Sequence, residues 1–238
     1  MSAAGVFVAG TDTEVGKTFV ACALLRALRE RGLRASGMKP VASGSEPAPD
    51  GLRNPDALAL LEASDPRPDY ATCNPFAFAE PVSPHLAAPA HALEVTLAPI
   101  EAAYARLAAQ ADVVVVEGVG GWQAPLSPRL LASALPQALR LPVVLVVGLR
   151  LGCLNHAQLS ARAILADGCP LLGWVANRID AGMLRPDDNL AALRALLPAP
   201  CLGVVPAAAD AAQATAALAE AARAVANGAG TAAPAGLS

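Results

Sequence analysis

The chain has 238 residues, 55% of them hydrophobic but only 3% aromatic, with a formal net charge of -3. That length suits one sizeable α/β domain with an aliphatic core, and no run of lysine or arginine forms the stripe that a nucleic-acid backbone needs. No stretch of about 18 strongly apolar residues escapes interruption by charge or proline, which argues against a spanning helix.

Met1 leads into a short apolar strand over 5–9 with no charged leader and no cleavage site, so no signal peptide and a cytoplasmic location are expected. Residues 17–31 place Val20, Leu24, Leu25 and Leu28 at helical spacing before Gly32 stops the helix. A second strand is expected over 35–41, then a loop over 42–55 rich in Ser, Gly, Pro and Asp. A short helix follows over 56–63, and 66–89 carries so many prolines that mostly irregular structure is expected. Residues 97–109 read as a helix. The four valines of 112–116 are apolar on both faces and too short for a helix, as a central parallel strand requires. A glycine-rich loop follows at 117–121. Strands are expected at 143–148, 173–176 and 201–205, with helices over 155–166, 187–197 and 210–227. Strands alternating with helices imply a Rossmann-like, three-layer α/β fold with a mostly parallel sheet. Residues 1–227 are read as one domain and 228–238 as a disordered tail. Cysteines 22, 73, 153, 169 and 201 form no C-x-x-C pair and read as small hydrophobes in a reducing compartment.

The segment GTDTEVGKT from Gly10 to Thr18 lies between a predicted strand and a predicted helix, the context of a P-loop. Its amides, from Glu14, Val15 and Gly16 into the helix start at Lys17, Thr18 and Phe19, can wrap an anionic phosphate. Lys17 can reach β and γ phosphates, and the Thr18 hydroxyl can bind Mg2+. The spacing departs from the usual one. Five residues separate Gly10 from Gly16, and Thr11 stands where glycine is expected. Glu117, at the end of the valine strand, would land beside the loop and ligate the metal, unless it only caps the strand. Gly118, Val119 and Gly120 behind it let the backbone approach a ligand. Lys39 and Ser43 end the second strand near the γ-phosphate position, where a second lysine suits phosphoryl transfer; a surface lysine fits the pattern equally. Asp56 is a further ligand candidate or part of a helix N-cap region with Asn54. Gly152, Cys153, Leu154 and Asn155 open a helix whose free amides form an anion site or a plain terminus capped by Asn155. His85, His91 and His156 have no partners at suggestive spacing and read as surface or capping residues.

Together GTDTEVGKT, MKPVASGSE, GLRNPDALAL, YATCNPFAFAEPVSPH, VVVVEGVGGWQAPLS, LPVVLVVGLRLGCLNHA, GWVANR and PAPCLGVVP closely resemble the dethiobiotin synthetase family. The similarity runs from about Val6 to Pro206, in the family's order, and the P-loop departure is one that the family shares. The resemblance implies a P-loop enzyme that uses ATP and Mg2+ to join CO2 to 7,8-diaminononanoate through a carbamate and a carbamic-phosphoric anhydride. It further implies Lys17 and Lys39 as catalytic groups and Thr18, Asp56 and Glu117 as Mg2+ ligands. Thr13 and Ser43 become substrate contacts, Asn177 a reader of the adenine edge, and Val205, Pro206 and Ala207 a cover for the base. Arg178 departs from the acidic or small residue expected there and leaves part of the base contact open. In the family Gly152 to Asn155 lie at a homodimer interface and receive the neighbouring subunit's substrate carboxylate. Two other readings are an amidoligase of related P-loop type and a partitioning or regulatory P-loop ATPase. The second lacks support here, since the chain has no basic face and no second P-loop lysine before GKT.

Overall fold

In the computed structural model, which describes residues 4–91 and 93–228, six strands pair in parallel. These are β1 (Ala4–Gly10), β2 (Ala35–Met38), β3 (Val113–Glu117), β4 (Val143–Gly148), β5 (Leu171–Asn177) and β6 (Cys201–Val205). The sheet order is β6-β5-β4-β1-β3-β2. Successive side chains on a strand point to opposite faces, and the valine-rich strands therefore feed two separate cores. Val6, Val8, Val113, Val115, Val144 and Val146 pack on one side. Phe7, Val114, Val116, Leu145 and Val147 pack on the other. This is the three-layer, P-loop type of α/β fold expected.

The first face is covered by α1 (Lys17–Glu30), α2 (Pro55–Ala63), α6 (Ala211–Ala217) and α7 (Ala219–Gly228). The second is covered by α3 (Leu97–Ala108), α4 (Cys153–Ala166) and α5 (Pro186–Leu196). Val20, Leu24 and Leu28 of α1 are fully buried, the i, i+4 stripe that its sequence announces.

Four details differ from the pattern-based reading. The second strand stops at Met38, because Pro40 has no N–H for the ladder; Val41–Ala42 instead pairs with Phe76–Ala77. The loop over 42–55 contains an antiparallel ribbon, Glu46–Ala48 against Gly51–Arg53, since the residues of a loop are also those of a tight turn. Short helices occur at Tyr70–Cys73, Pro84–Ala87 and Ala134–Leu139. The alanine-rich helix breaks at Leu218, buried near β6, a bend that a uniform run of alanines does not signal. The expected tail beyond Gly228 lies outside the described residues.

Candidate active site

β1 delivers Gly10 to the carboxyl edge of the sheet, and the loop that follows it returns into α1. Glu14 and Gly16 both take the left-handed conformation, at φ +59° and +84°. Glycine is required at 16, where a Cβ would sit 2.1 Å from Asn177 Nδ2. It is required at Gly10 too, because a Cβ there would meet Val15 at 2.8 Å and Lys17 at 2.9 Å. The loop is tied down on three sides. Lys17 Nζ donates to the Asp12 carbonyl at 2.8 Å, Asn177 Nδ2 donates to the Val15 carbonyl at 3.0 Å, and Arg150 pairs with the Asp12 carboxylate.

β3 lies beside β1 with Val8 opposite Glu117, so the glutamate emerges next to the P-loop. Glu117 is fully buried. Its Oε1 accepts from Thr18 Oγ1 at 2.8 Å and from Lys39 Nζ at 2.6 Å. Lys39 follows β2, the neighbour of β3, and its ammonium also donates to Asp56 Oδ2 at 3.0 Å. Residues from α1, β3, α2 and the segment after β2 thus meet at one point. Lys39 is only 3% exposed, so it faces the site and not solvent.

A cleft of about 780 Å³ opens over this point. Thr13, Glu14, Gly16, Lys17, Thr18, Lys39, Ser43, Asp56, Glu117, Val119 and Gly120 all line it. The opposite wall comes from Pro81, Val82, Ser83 and Pro84 and from Ala124 and Pro125, positions not singled out in the sequence because proline-rich loops carry no periodicity. Ser43 Oγ is buried without a hydrogen-bond partner, free for a ligand. Trp122 anchors the glycine-rich loop by an Nε1–H bond of 2.7 Å to Asp167 Oδ2.

Not every expected residue converges. Gly152 caps α4 with no side-chain cap, Asn155 lies in the first turn, and neither these two nor Cys153 and Leu154 line the cleft of this chain. The side-chain amide nitrogen of Asn177 is engaged by the P-loop itself. Arg178 pairs with Asp187 on α5, while its N–H reaches the Val205 carbonyl at 3.1 Å. Pro206 and Ala207 are exposed beside buried Val205. Asn54, and not Asp56, caps α2. His156 is exposed, and His85 is half-buried with Nδ1 unpartnered.

Electrostatics separate the two lysines. Burial and then the Lys39 charge pull Lys17 down from 10.5 to about 8. Burial also opposes the charge on Lys39, but Glu117 and Asp56 outweigh it and hold the group above its ordinary value. Burial pushes Asp56 up, while Lys39 and Thr18 more than offset this and keep it below the usual carboxylate range. A bound triphosphate favours the charged form of Lys17, so nucleotide binding near pH 8 should take up a proton. Affinity should fall as pH rises above about 8, by at most about tenfold per unit. Calorimetry in buffers of different ionisation enthalpy measures that uptake; none at pH 8 would refute it. In the empty protein the sign reverses, because the folded chain releases this proton more readily, and stability should gain from about 8 to 10.5.

The donors fit a magnesium–phosphate complex. They are two carboxylates and a hydroxyl, and Glu117 Oε2 is buried with no hydrogen-bond partner. Among the described residues no three His, Cys, Asp or Glu side chains form a metal cage. Mg2+ commonly takes only one or two carboxylates and completes its shell with phosphate oxygens and water.

Comparison with known proteins agrees with this geometry. A family model described as an AAA domain matches residues 4–215. The chain is 58% identical over 200 residues to an ATP-dependent dethiobiotin synthetase BioD of Xanthomonas euvesicatoria pv. vesicatoria, covering 84% of this chain and 89% of that one. It is 56% identical over 206 residues to the protein of that name from Xylella fastidiosa, covering 87% and 91%. Among solved structures, it resembles a septum site-determining protein MinD from Pyrococcus horikoshii, complexed with Mg-ADP, at TM-score 0.54 and 16% identity over 96% of each chain. It also resembles a cobyrinic acid a,c-diamide synthase from Mycobacterium smegmatis, with bound ADP and magnesium, at TM-score 0.55 and 19% identity over 93% of each. At those identities the likeness is one of fold.

Proposed function

The chain belongs to the dethiobiotin synthetase family, and on that premise we propose that this cleft carries out the ATP-dependent carboxylation and ring closure of 7,8-diaminononanoate. The observation that carries the reading is Lys39: a buried ammonium 2.6 Å from Glu117 and 3.0 Å from Asp56, in the cleft that Lys17 and Thr18 also line.

One amine of the diamine attacks CO2 and loses a proton, giving a carbamate. A carbamate oxygen then attacks the γ-phosphorus of ATP, ADP departs, and a carbamic-phosphoric anhydride remains. The second amine attacks the carbamoyl carbon, the bond to phosphate breaks, and the ureido ring closes with release of phosphate and a proton. Each charged step brings anions together, which in water repel one another. Lys39 moves from its carboxylates toward the carbamate and the γ-phosphoryl group, and Lys17 holds the terminal phosphates. Positioning and fixed charge then stabilise a transition state spread over the phosphoryl oxygens. The P-loop amides grip the phosphate chain, and Thr13 and Ser43 orient the diamine end. Thr18, Asp56 and Glu117 would hold Mg2+, whose contribution when bound is to neutralise charge on the β and γ phosphates.

Asn177, Arg178 and residues 205–207 border the place left for the base. The exposed start of α4 suits capture of the substrate carboxylate by a second subunit, with Leu151 beside it 95% exposed. We therefore read the enzyme as a cytoplasmic homodimer of single-domain protomers with substrate at the interface. No helix among the described residues is long and apolar enough to cross a membrane.

Incubation with ATP, Mg2+, bicarbonate and diaminononanoate, followed by mass analysis of the product, tests the reaction. Phosphate release should track the diamine supplied. Hydrolysis that proceeds equally without diamine would instead indicate an ATP-driven switch.

A further inference from the structure

Lys39 and Ser43 lie on one segment, which the backbone pairs with residues 73–80, beginning with the Lys39 N–H to the Cys73 carbonyl at 2.8 Å, whereas Asp56 lies on α2. Three side chains outside the chemistry tie the segment and the helix together. Asn74 Nδ2 donates to the Lys39 carbonyl at 2.6 Å and to the Phe76 carbonyl at 3.1 Å. Asn54 Oδ1 accepts from the Asp56 N–H at 3.0 Å, and its Nδ2 donates to the Ser43 carbonyl at 3.1 Å. The Tyr70 hydroxyl joins the two asparagines. It accepts from the Asn54 N–H at 2.7 Å and donates to Asn74 Oδ1 at 2.9 Å.

The directions of these bonds are fully determined. Asn74 contacts two carbonyls with its nitrogen, so its oxygen faces Tyr70 and must accept. The Asn54 N–H can only donate. The phenol therefore has one arrangement that satisfies both, and neither asparagine, each 3% exposed, has ready access to water as a substitute. The Arg53 guanidinium stacks on the Tyr70 ring at 4.1 Å.

We propose that Tyr70, Asn54 and Asn74 are positioning residues, with the Tyr70 hydroxyl as the joint that sets Lys39 against Asp56 and Ser43; this rests on the function given above. The aromatic ring supplies bulk, and the hydroxyl supplies registration between the lysine segment and the metal-ligand helix. A misplacement of about 1 Å at such a site costs on the order of a hundredfold in rate.

Tyr70→Phe keeps the ring and removes the joint. It should lower kcat about 10- to 100-fold with ATP affinity at saturating Mg2+ little changed, because the P-loop lies on other elements. It should also raise the Mg2+ concentration that half-saturates ATP binding, since Asp56 is displaced. Asn74→Ala should behave likewise, and the double variant should be little worse than either single one. Asn54→Ser keeps a helix-capping oxygen, buries no charge and loses the Ser43 link, so kcat should fall with only a small change in melting temperature; it serves if Tyr70→Phe folds poorly. Wild-type kcat per nucleotide-binding site in Tyr70→Phe and Asn54→Ser, or additive losses in the double variant, would overturn the positioning role. A wild-type protein that forms no dethiobiotin would overturn the function instead. In that event an unshifted Mg2+ titration of ATP binding in Tyr70→Phe still decides against the joint.

Discussion

Replacement of Lys39 by alanine should lower kcat by about a thousandfold or more while ATP binding changes only modestly. The size follows from what the ammonium is asked to do. A cation poised at a transferring phosphoryl group is worth about 10³ to 10⁵ in rate, and here the same group also gathers the incoming carbamate. ATP affinity is largely retained because Lys17 and the loop amides, which grip the phosphates, are untouched. The substitution has a second, separable cost. Lys39 is the cation at 2.6 Å from fully buried Glu117, and removing one partner of a buried pair costs about 3 to 5 kcal/mol. A thermal melt of Lys39→Ala alongside the double variant Lys39→Met with Glu117→Gln separates fold loss from rate loss, because the double variant leaves no uncompensated charge at the fully buried Glu117 position and only half-exposed Asp56 without its cation. Weakened ATP binding with normal turnover at saturation would contradict the catalytic role.

Glu117→Gln should raise the Mg2+ concentration needed for half-maximal rate by on the order of tenfold or more. Glutamine has nearly the same volume, so the packing against β1 is preserved and the change is one of charge. Thr18 Oγ1 loses its anionic acceptor, Lys39 Nζ keeps only Asp56, and the carboxylate with its unpartnered Oε2 is replaced by an amide group that binds a hard cation poorly as oxygen and not at all as nitrogen. The measurement is a Mg2+ titration of initial rate at fixed, saturating ATP. An unchanged titration would remove Glu117 from the ligand set.

Much of the site was legible before any coordinates. Lys17 and Thr18 follow from the loop between a strand and a helix, and Glu117 from a four-valine run too short and too apolar to be anything but a central strand. Lys39 and Asp56 were equivocal on pattern alone, and similarity to known synthetases supplied their roles. The joint through Tyr70 was not visible, since its three members are spread over positions 54 to 74 and each looks like an ordinary capping or surface residue. The proline-lined wall at 81–84 was also hidden, for want of any period to read.

The linear sequence by itself determined the aliphatic parallel sheet, the phosphate loop and the identity of the charged groups, because periodicity, turn chemistry and local spacing act over a few residues. Only the tertiary structure decided that β3 lies between β1 and β2, which brings Glu117 and Lys39 to 2.6 Å. Sheet order is a property of non-local pairing and shared burial, and a charge pair of this kind exists only where packing has already excluded water from both partners.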